Sequence, residues 1–191
     1  PTEAMVSSMR ERRDALTPII LGIGQGPIAW TPLQAANAYA TIAREGVRRD
    51  ATLIRAPREA IEASRPHEAP GEAMDFPPRA VAQMIDGLRR AVEASYGTAH
   101  HLQFGEAREP IFDTPGVRVY GKTGTAQAPP LRLDIDGDGT VDRTISGLDH
   151  AWFAGLVGDR SRDRPRYAMA VLVEYGGSGG KVAGPVAAQV I

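Results

Sequence analysis

Apolar residues recur at helical spacing in two early stretches of the chain, and at strand spacing in three later ones. Thr31 precedes Pro32, a hydroxyl cap followed by proline at a first helical position. Leu33, Ala36, Tyr39, Ala40 and Ala43 then repeat with a helical period, and Gly46 supplies a stop, so a helix is predicted over 31–45. After Pro77 and Pro78, the residues Val81, Met84, Ile85, Leu88 and Val92 mark a second amphipathic helix that ends before Gly97. Residues 117–120 alternate and lead into 121–125 as an apparent strand, while 151–157 and 167–174 are apolar over strand length. The charged turn 158–166 is short, which implies an antiparallel hairpin. Residues 176–180 are a glycine loop, and a last helix from 182 should pack through Val186 and Val190, one turn apart. Residues 56–76 are rich in Pro, Glu and Ala without either period, and read as a surface excursion. Helices first and consecutive strands afterwards argue an α+β fold, an antiparallel sheet flanked by helices.

Composition narrows this picture. A chain of 191 residues, 42% hydrophobic, can bury one sizeable core and needs only one domain, so residues 1–191 are read as part of a single domain. A net charge of −1, with acids and arginines interspersed, gives no electrostatic case for nucleic acid. The absence of cysteine excludes disulfides and thiolate metal sites. The longest apolar stretch, 168–173, falls far short of the roughly 20 residues a membrane span needs. Neither a start methionine nor a signal pattern opens the chain, which therefore reads as a piece of a longer one.

Candidate chemistry concentrates at Lys122-Thr123-Gly124-Thr125. A lysine at a strand edge offers positive charge to a carboxylate, and the hydroxyls of Thr123 and Thr125 can bind the same anion. Gly124 lets a peptide backbone lie against the strand as an added strand. Alone, the tripeptide is equally a charged edge strand with a glycine bulge. Its surroundings decide. Gly22-Ile23-Gly24-Gln25-Gly26, then Thr31-Pro32-Leu33-Gln34 and Asn37-Ala38-Tyr39-Ala40, are followed by Gly97-Thr98-Ala99 and by GKTGTAQ over 121–127. His150-Ala151-Trp152-Phe153-Ala154-Gly155 and the glycine loop with Ala183 and Pro185 complete the series. In that order these segments resemble the C-terminal part of the transpeptidase domain of class B penicillin-binding proteins, elongation type.

The resemblance implies a penicillin-binding, β-lactamase-like fold. It implies Lys122 and Thr125 as catalytic groups, and Thr123, Gly124, Thr125 and Gln127 as substrate-binding ones, with the Thr125 N–H forming half of an oxyanion hole. The implied substrate is a peptidoglycan stem peptide ending in D-Ala-D-Ala, with β-lactams as inhibitors. The implied partner is the lipid-linked glycan polymerase of the elongation machinery. The implied location is the cell envelope, as a periplasmic domain anchored in the inner membrane. No organic cofactor is implied. A penicillin-sensing receptor, a β-lactamase-like domain or an inactive structural homologue would share the strand.

The family's nucleophile is the serine of an S-x-x-K motif, and its second motif is S-x-N. The chain has two lysines, Lys122 and Lys181, and one asparagine, Asn37, so both motifs are expected outside it. Ser178-Gly179-Gly180-Lys181 fits S-x-x-K literally, but loop glycines should not hold a helical Ser–Lys register. Gly176-x-Ser178-x-Gly180 also fits a hydrolase nucleophile elbow. That fold places an acid and then a histidine after the serine, and the segment 179–191 contains neither. His67, His100 and His101 lack metal spacing, and His150 is expected to orient a strand end. Trp152 and Phe153 are expected in the core.

An acidic insertion is expected at about 128–148, after the K-T-G strand. Within it Asp134, Asp136, Asp138, Thr140 and Asp142 match the first half of a calcium loop, with Gly139 at the sharp turn. The twelfth position, which should carry a bidentate acid, is Ile145, so a plain solvated turn is the alternative. Three geometric expectations complete the reading. The three strands should form one antiparallel sheet with the K-T-G strand at its edge. Lys122 and the Thr125 hydroxyl should share a groove through a distortion at Gly124, and Ser178 should sit at the sheet's far end.

Overall fold

The first helix starts where its caps dictate. In the computed structural model, which describes residues 20, 25, 29–51, 71–162 and 164–191, Thr31 Oγ1 accepts the Gln34 amide (3.2 Å). Gln34 Oε1 in turn accepts the Thr31 amide (2.9 Å), which closes a capping box over α1, Pro32–Ala43. The helix ends as Glu45 and Gly46 take positive φ and the Gly46 amide returns to the Thr41 carbonyl (2.9 Å). Its inward face is turned from the expected one: Ala35 and Thr41 are buried, whereas Leu33 is exposed. Small residues there let the helix lie close along the sheet.

β1, Val47–Arg48, pairs with β2, Glu72–Ala73, across the stretch read as a surface excursion. Residues 56–70 of that stretch lie outside the described residues. α2, Pro78–Glu93, follows as the period predicts and buries Val81 and Val92. A hairpin of β3, His101–Phe104, with β4, Ala107–Pro110, was not expected, because its exposed residues carry no apolar alternation.

The three predicted strands are present and adjacent. β5, Val117–Gln127, pairs antiparallel with β8, Asp149–Asp159, which pairs antiparallel with β9, Pro165–Val173. Between β5 and β8 the expected insertion is a second small hairpin, β6, Leu131–Leu133, with β7, Arg143–Ile145. The bond from the Ala128 amide to the Leu148 carbonyl (3.0 Å) closes its base. An antiparallel sheet excludes the hydrolase elbow, which needs a parallel one.

One face of the sheet carries the main core, where Val119, Ala151 and Phe153 meet Val92, Ala99, Ala183 and Ala187. Phe153 is 0% exposed and stacks at 5.0 Å on Phe112, as expected for core; its neighbour Trp152 is only half-buried. The alternate positions Tyr120, Ala154 and Leu156 are buried as well, so both faces of the sheet are covered.

After β9 the chain enters a π-helical turn, Gly179–Ala183, and then α3, Gly184–Val190. This corrects two expectations. The turn begins at Gly179, three residues before the expected start at 182, because the Ser178 hydroxyl accepts the Lys181 amide (3.4 Å) and caps it. The packing face is Ala183, Ala187 and Ile191 rather than Val186 and Val190, which are 39% and 73% exposed. Alanines at i and i+4 let the helix approach the sheet more closely than valines would.

Candidate active site

β5 presents the K-T-G motif at an edge of its sheet among the described residues. Its pairing with β8 runs unbroken through Lys122↔Ala154, Thr123↔Phe153, Gly124↔Trp152 and Thr125↔Ala151. No bulge distorts Gly124. Alternation therefore puts Lys122 and the Thr125 side chain on opposite faces, and the expected common groove is corrected on this point.

The hydrogen-bond phase of the strand follows from its flanks. The Arg160 amide donates to the Gly116 carbonyl (2.8 Å) at one end, and the Ala128 amide to the Leu148 carbonyl (3.0 Å) at the other. Even-numbered residues of β5 thus bond to β8, and the odd-numbered Thr123 and Thr125 turn their N–H and C=O to the free edge. Two side chains lie at those outward carbonyls. Lys122 Nζ donates to the Thr123 carbonyl (2.8 Å), and Gln25 Nε2 donates to the Thr125 carbonyl (2.7 Å). The Thr125 N–H is left on the same open side, where a strand-like ligand would offer its own carbonyl. Lys122, Thr125 and Gln127 are exposed, and Thr123 and Gly124 are half-buried.

Behind this edge the fit is tight. A Cβ on Gly121 would come within 2.2 Å of the Phe153 ring, so only glycine lets that ring lie under the strand. A Cβ on Gly179 would come within 2.4 Å of the Gly124 and Trp152 carbonyl oxygens. The glycine loop is therefore seated on the K-T-G strand, which corrects the expectation that Ser178 lies at the sheet's far end. The Ser178 hydroxyl serves as a helix cap, not as a nucleophile held by a lysine side chain. His150 orients a strand end as expected: its Nδ1 accepts the Tyr175 amide (3.0 Å) and its ring meets the Tyr175 ring at 5.0 Å. His67 lies outside the described residues.

Two contacting residues were missed as individuals by the sequence reading, although both sit in segments that carried the resemblance. Gln25 belongs to the G-Q-G segment. Thr98 belongs to Gly97-Thr98-Ala99, and its Oγ1 lies 2.7 Å from Thr123 Oγ1.

At the acidic hairpin, ligand atoms of Asp134, Asp136 and Asp138 lie within 4.8 Å of one another, all exposed. The carboxylates also hold the turn itself. Asp134 accepts the Gly137 (2.7 Å) and Gly139 (2.9 Å) amides, and Asp142 accepts the Ile135 amide (2.7 Å). Asp138 accepts both the hydroxyl (2.6 Å) and the amide (2.7 Å) of Thr140, bonds that hold its carboxyl below the usual carboxylate range. Ile145 lies within β7, so the twelfth ligand position remains apolar.

Residues 10–191 match the family described as the penicillin binding protein transpeptidase domain. The peptidoglycan D,D-transpeptidase MrdA of Haemophilus influenzae is 30% identical over 176 residues, covering 91% of this chain and 25% of the relative. The peptidoglycan D,D-transpeptidase PbpA of Mycolicibacterium smegmatis is 29% identical over 174 residues, covering 88% and 30%. The MrdA of Acinetobacter baumannii is 29% identical over 175 residues, covering 88% and 23%. The chain thus spans about a quarter of the length of the curated relatives it matches. No solved structure matches it significantly.

Proposed function

The chain belongs to the penicillin-binding protein transpeptidase family, and from that membership we propose that it supplies the substrate-binding edge of a peptidoglycan D,D-transpeptidase. The nucleophilic serine and the S-x-N motif come from residues outside this chain. That serine attacks the penultimate D-Ala carbonyl of a stem peptide, its oxygen forming the ester as the C–N bond to the terminal D-Ala breaks. The departing amine takes a proton. A neighbouring stem peptide's amine then displaces the serine and forms the cross-link.

The observation that carries this reading is the outward phase of Thr123 and Thr125 on the free edge of β5. A peptide laid along that edge meets the outward N–H groups of β5, beside carbonyls of Thr123 and Thr125 that accept Lys122 Nζ and Gln25 Nε2. The Thr125 N–H can receive the oxyanion that develops during attack, when a preorganised donor is worth most. The hydroxyls of Thr123 and Thr125 share one face by alternation and can bind the terminal carboxylate, and Lys122 adds positive charge at the strand. Gln127, at the strand's end, borders the remainder of the peptide. β-Lactams react at the same serine.

The elongation type follows from the G-Q-G, T-P-L-Q and H-A-W-F segments and includes a lipid-linked glycan polymerase as partner. An inner-membrane anchor and a periplasmic location belong to the same proposal. No helix among the described residues is long and apolar enough to cross a membrane. Calcium at Asp134, Asp136, Asp138, Thr140 and Asp142 is an accessory proposal, supported by the convergence of three carboxylates.

Fluorescent penicillin tests the central reading. The full-length protein should be labelled covalently and should cross-link stem peptides, which a penicillin-sensing domain does not do. The 191-residue chain alone should stay unlabelled. Lys122→Ala in the full-length protein should slow acylation by about a hundredfold, the scale of losing one transition-state donor. Acylation at the wild-type rate would remove Lys122 from the site.

A further inference from the structure

We infer that Thr98 is a positioning residue for substrate carboxylate recognition, its hydroxyl orienting and polarising that of Thr123. The inference rests on the transpeptidase reading, in which Thr123 binds the carboxylate. The two Oγ1 atoms are 2.7 Å apart, a good distance for a hydroxyl pair. A threonine hydroxyl has one proton to donate and two lone pairs. If Thr123 gives its proton to a carboxylate, only a lone pair is left for Thr98, so Thr98 must be the donor. The ligand therefore sets the direction of the pair: Thr98 to Thr123 to anion. Donation into Thr123 makes its own proton the better donor, because hydrogen bonds in a chain polarise one another.

The backbone shows that Thr98 is held, not merely nearby. The Gly97 amide donates to the Ala94 carbonyl (2.7 Å), the Ala99 amide to the Ala91 carbonyl (3.0 Å) and the His100 amide to the Gly97 carbonyl (3.1 Å). Ala99 is fully buried in the core beside Val119 and Ala183. On the other side, Gly180 leaves no room for a side chain, since a Cβ there would come within 2.5 Å of the Thr98 carbonyl oxygen. The same Cβ would stand 3.8 Å from the Thr123 methyl. The end of α2, the K-T-G strand and the glycine loop thus meet at one hydroxyl pair, and the rotamer of Thr123 is set before a ligand arrives. Preorganisation of this kind lowers the ordering cost of binding.

The test is the second-order acylation rate of the full-length protein with two probes, benzylpenicillin and its methyl ester, in which the carboxylate charge is gone. Thr98→Val should lower the rate with benzylpenicillin by about fivefold, the scale of one net hydrogen bond. It should leave the ester rate unchanged, and Thr98→Ser should restore the benzylpenicillin rate. Equal losses with both probes, or no rescue by serine, would assign Thr98 a structural role and overturn the inference. Thr123→Val separates the two levels. If it slows benzylpenicillin while Thr98→Val does not, the inference fails and the transpeptidase reading stands. If Thr123→Val itself has no effect, the carboxylate assignment fails, and the inference with it.

Discussion

The K-T-G edge of β5 and the acidic hairpin just beyond it are held in opposite ways. At the edge, most neighbours come from far along the chain. Phe153 lies under Gly121, Gly179 sits on Gly124, Thr98 meets Thr123 and Gln25 reaches Thr125. In the hairpin, each carboxylate of residues 134–142 binds backbone within a few residues, and nothing there is buried. The first arrangement makes a site whose geometry depends on the whole core. The second makes a loop that closes on itself and can vary without disturbing the sheet. The transition-state role proposed for the edge needs the first kind of support, because small displacements weaken interactions that depend on alignment.

The sharpest way to break this contrast is to fill the seats behind the edge. Gly179→Val should have the largest effect, because its branched side chain would meet the backbone oxygens of Gly124 and Trp152, which cannot swing away. A loss at the upper end of the roughly 1–3 kcal/mol typical of overpacking, or beyond it, is expected in denaturant unfolding, with slower acylation. Gly121→Ala should fall within that range, since the opposing group is the fully buried Phe153 ring. Wild-type stability of Gly179→Val would show that the loop is not seated on the strand, and wild-type stability of Gly121→Ala that the Phe153 ring does not lie under it.

Calcium sharpens the contrast from the other side. With an apolar residue at the twelfth position, a site no tighter than on the order of 10⁻⁴ M is expected. At ~1 mM calcium, binding confined to the folded hairpin then adds about 1.4 kcal/mol at most. Chelation should lower the melting temperature slightly and calcium should restore it, while acylation stays constant. An unchanged melting temperature would leave a plain turn held by its own carboxylates.

The smallest effect is one of pH. The Thr140 hydroxyl and amide depress the Asp138 pKa in the folded loop. The stabilisation they represent is therefore complete above the ordinary carboxylate pKa and is lost as pH falls through the depressed folded value. Exchange of the Thr140 amide, taken relative to its intrinsic rate at each pH, should quicken on acidification through that window, and that of the β8 amides should be unaffected. Equal quickening in both would mean that hairpin and sheet open together.

Much of the fold is determined by local sequence. Thr31, Pro32 and Gln34 define a helix start by chemistry that acts over four residues. The apolar runs at 151–157 and 167–174, joined by a short charged turn, leave little besides an antiparallel pair. The K-T-G residues could be recognised as candidates because their side chains state what they can bind. Tertiary structure alone decided how those residues are presented. The phase that turns Thr123 and Thr125 outward is a property of two strands together, and no feature of β5 by itself sets it. The unbroken pairing that separates Lys122 from the Thr125 side chain is likewise a consequence of β8. Val186 and Val190 have the hydrophobicity expected of a packing face, yet α3 turns Ala187 inward, because the closest approach to a sheet favours the smallest side chain. Thr98 acquires its meaning only when α2, β5 and the glycine loop converge, since a contact across 25 residues leaves no local period to read.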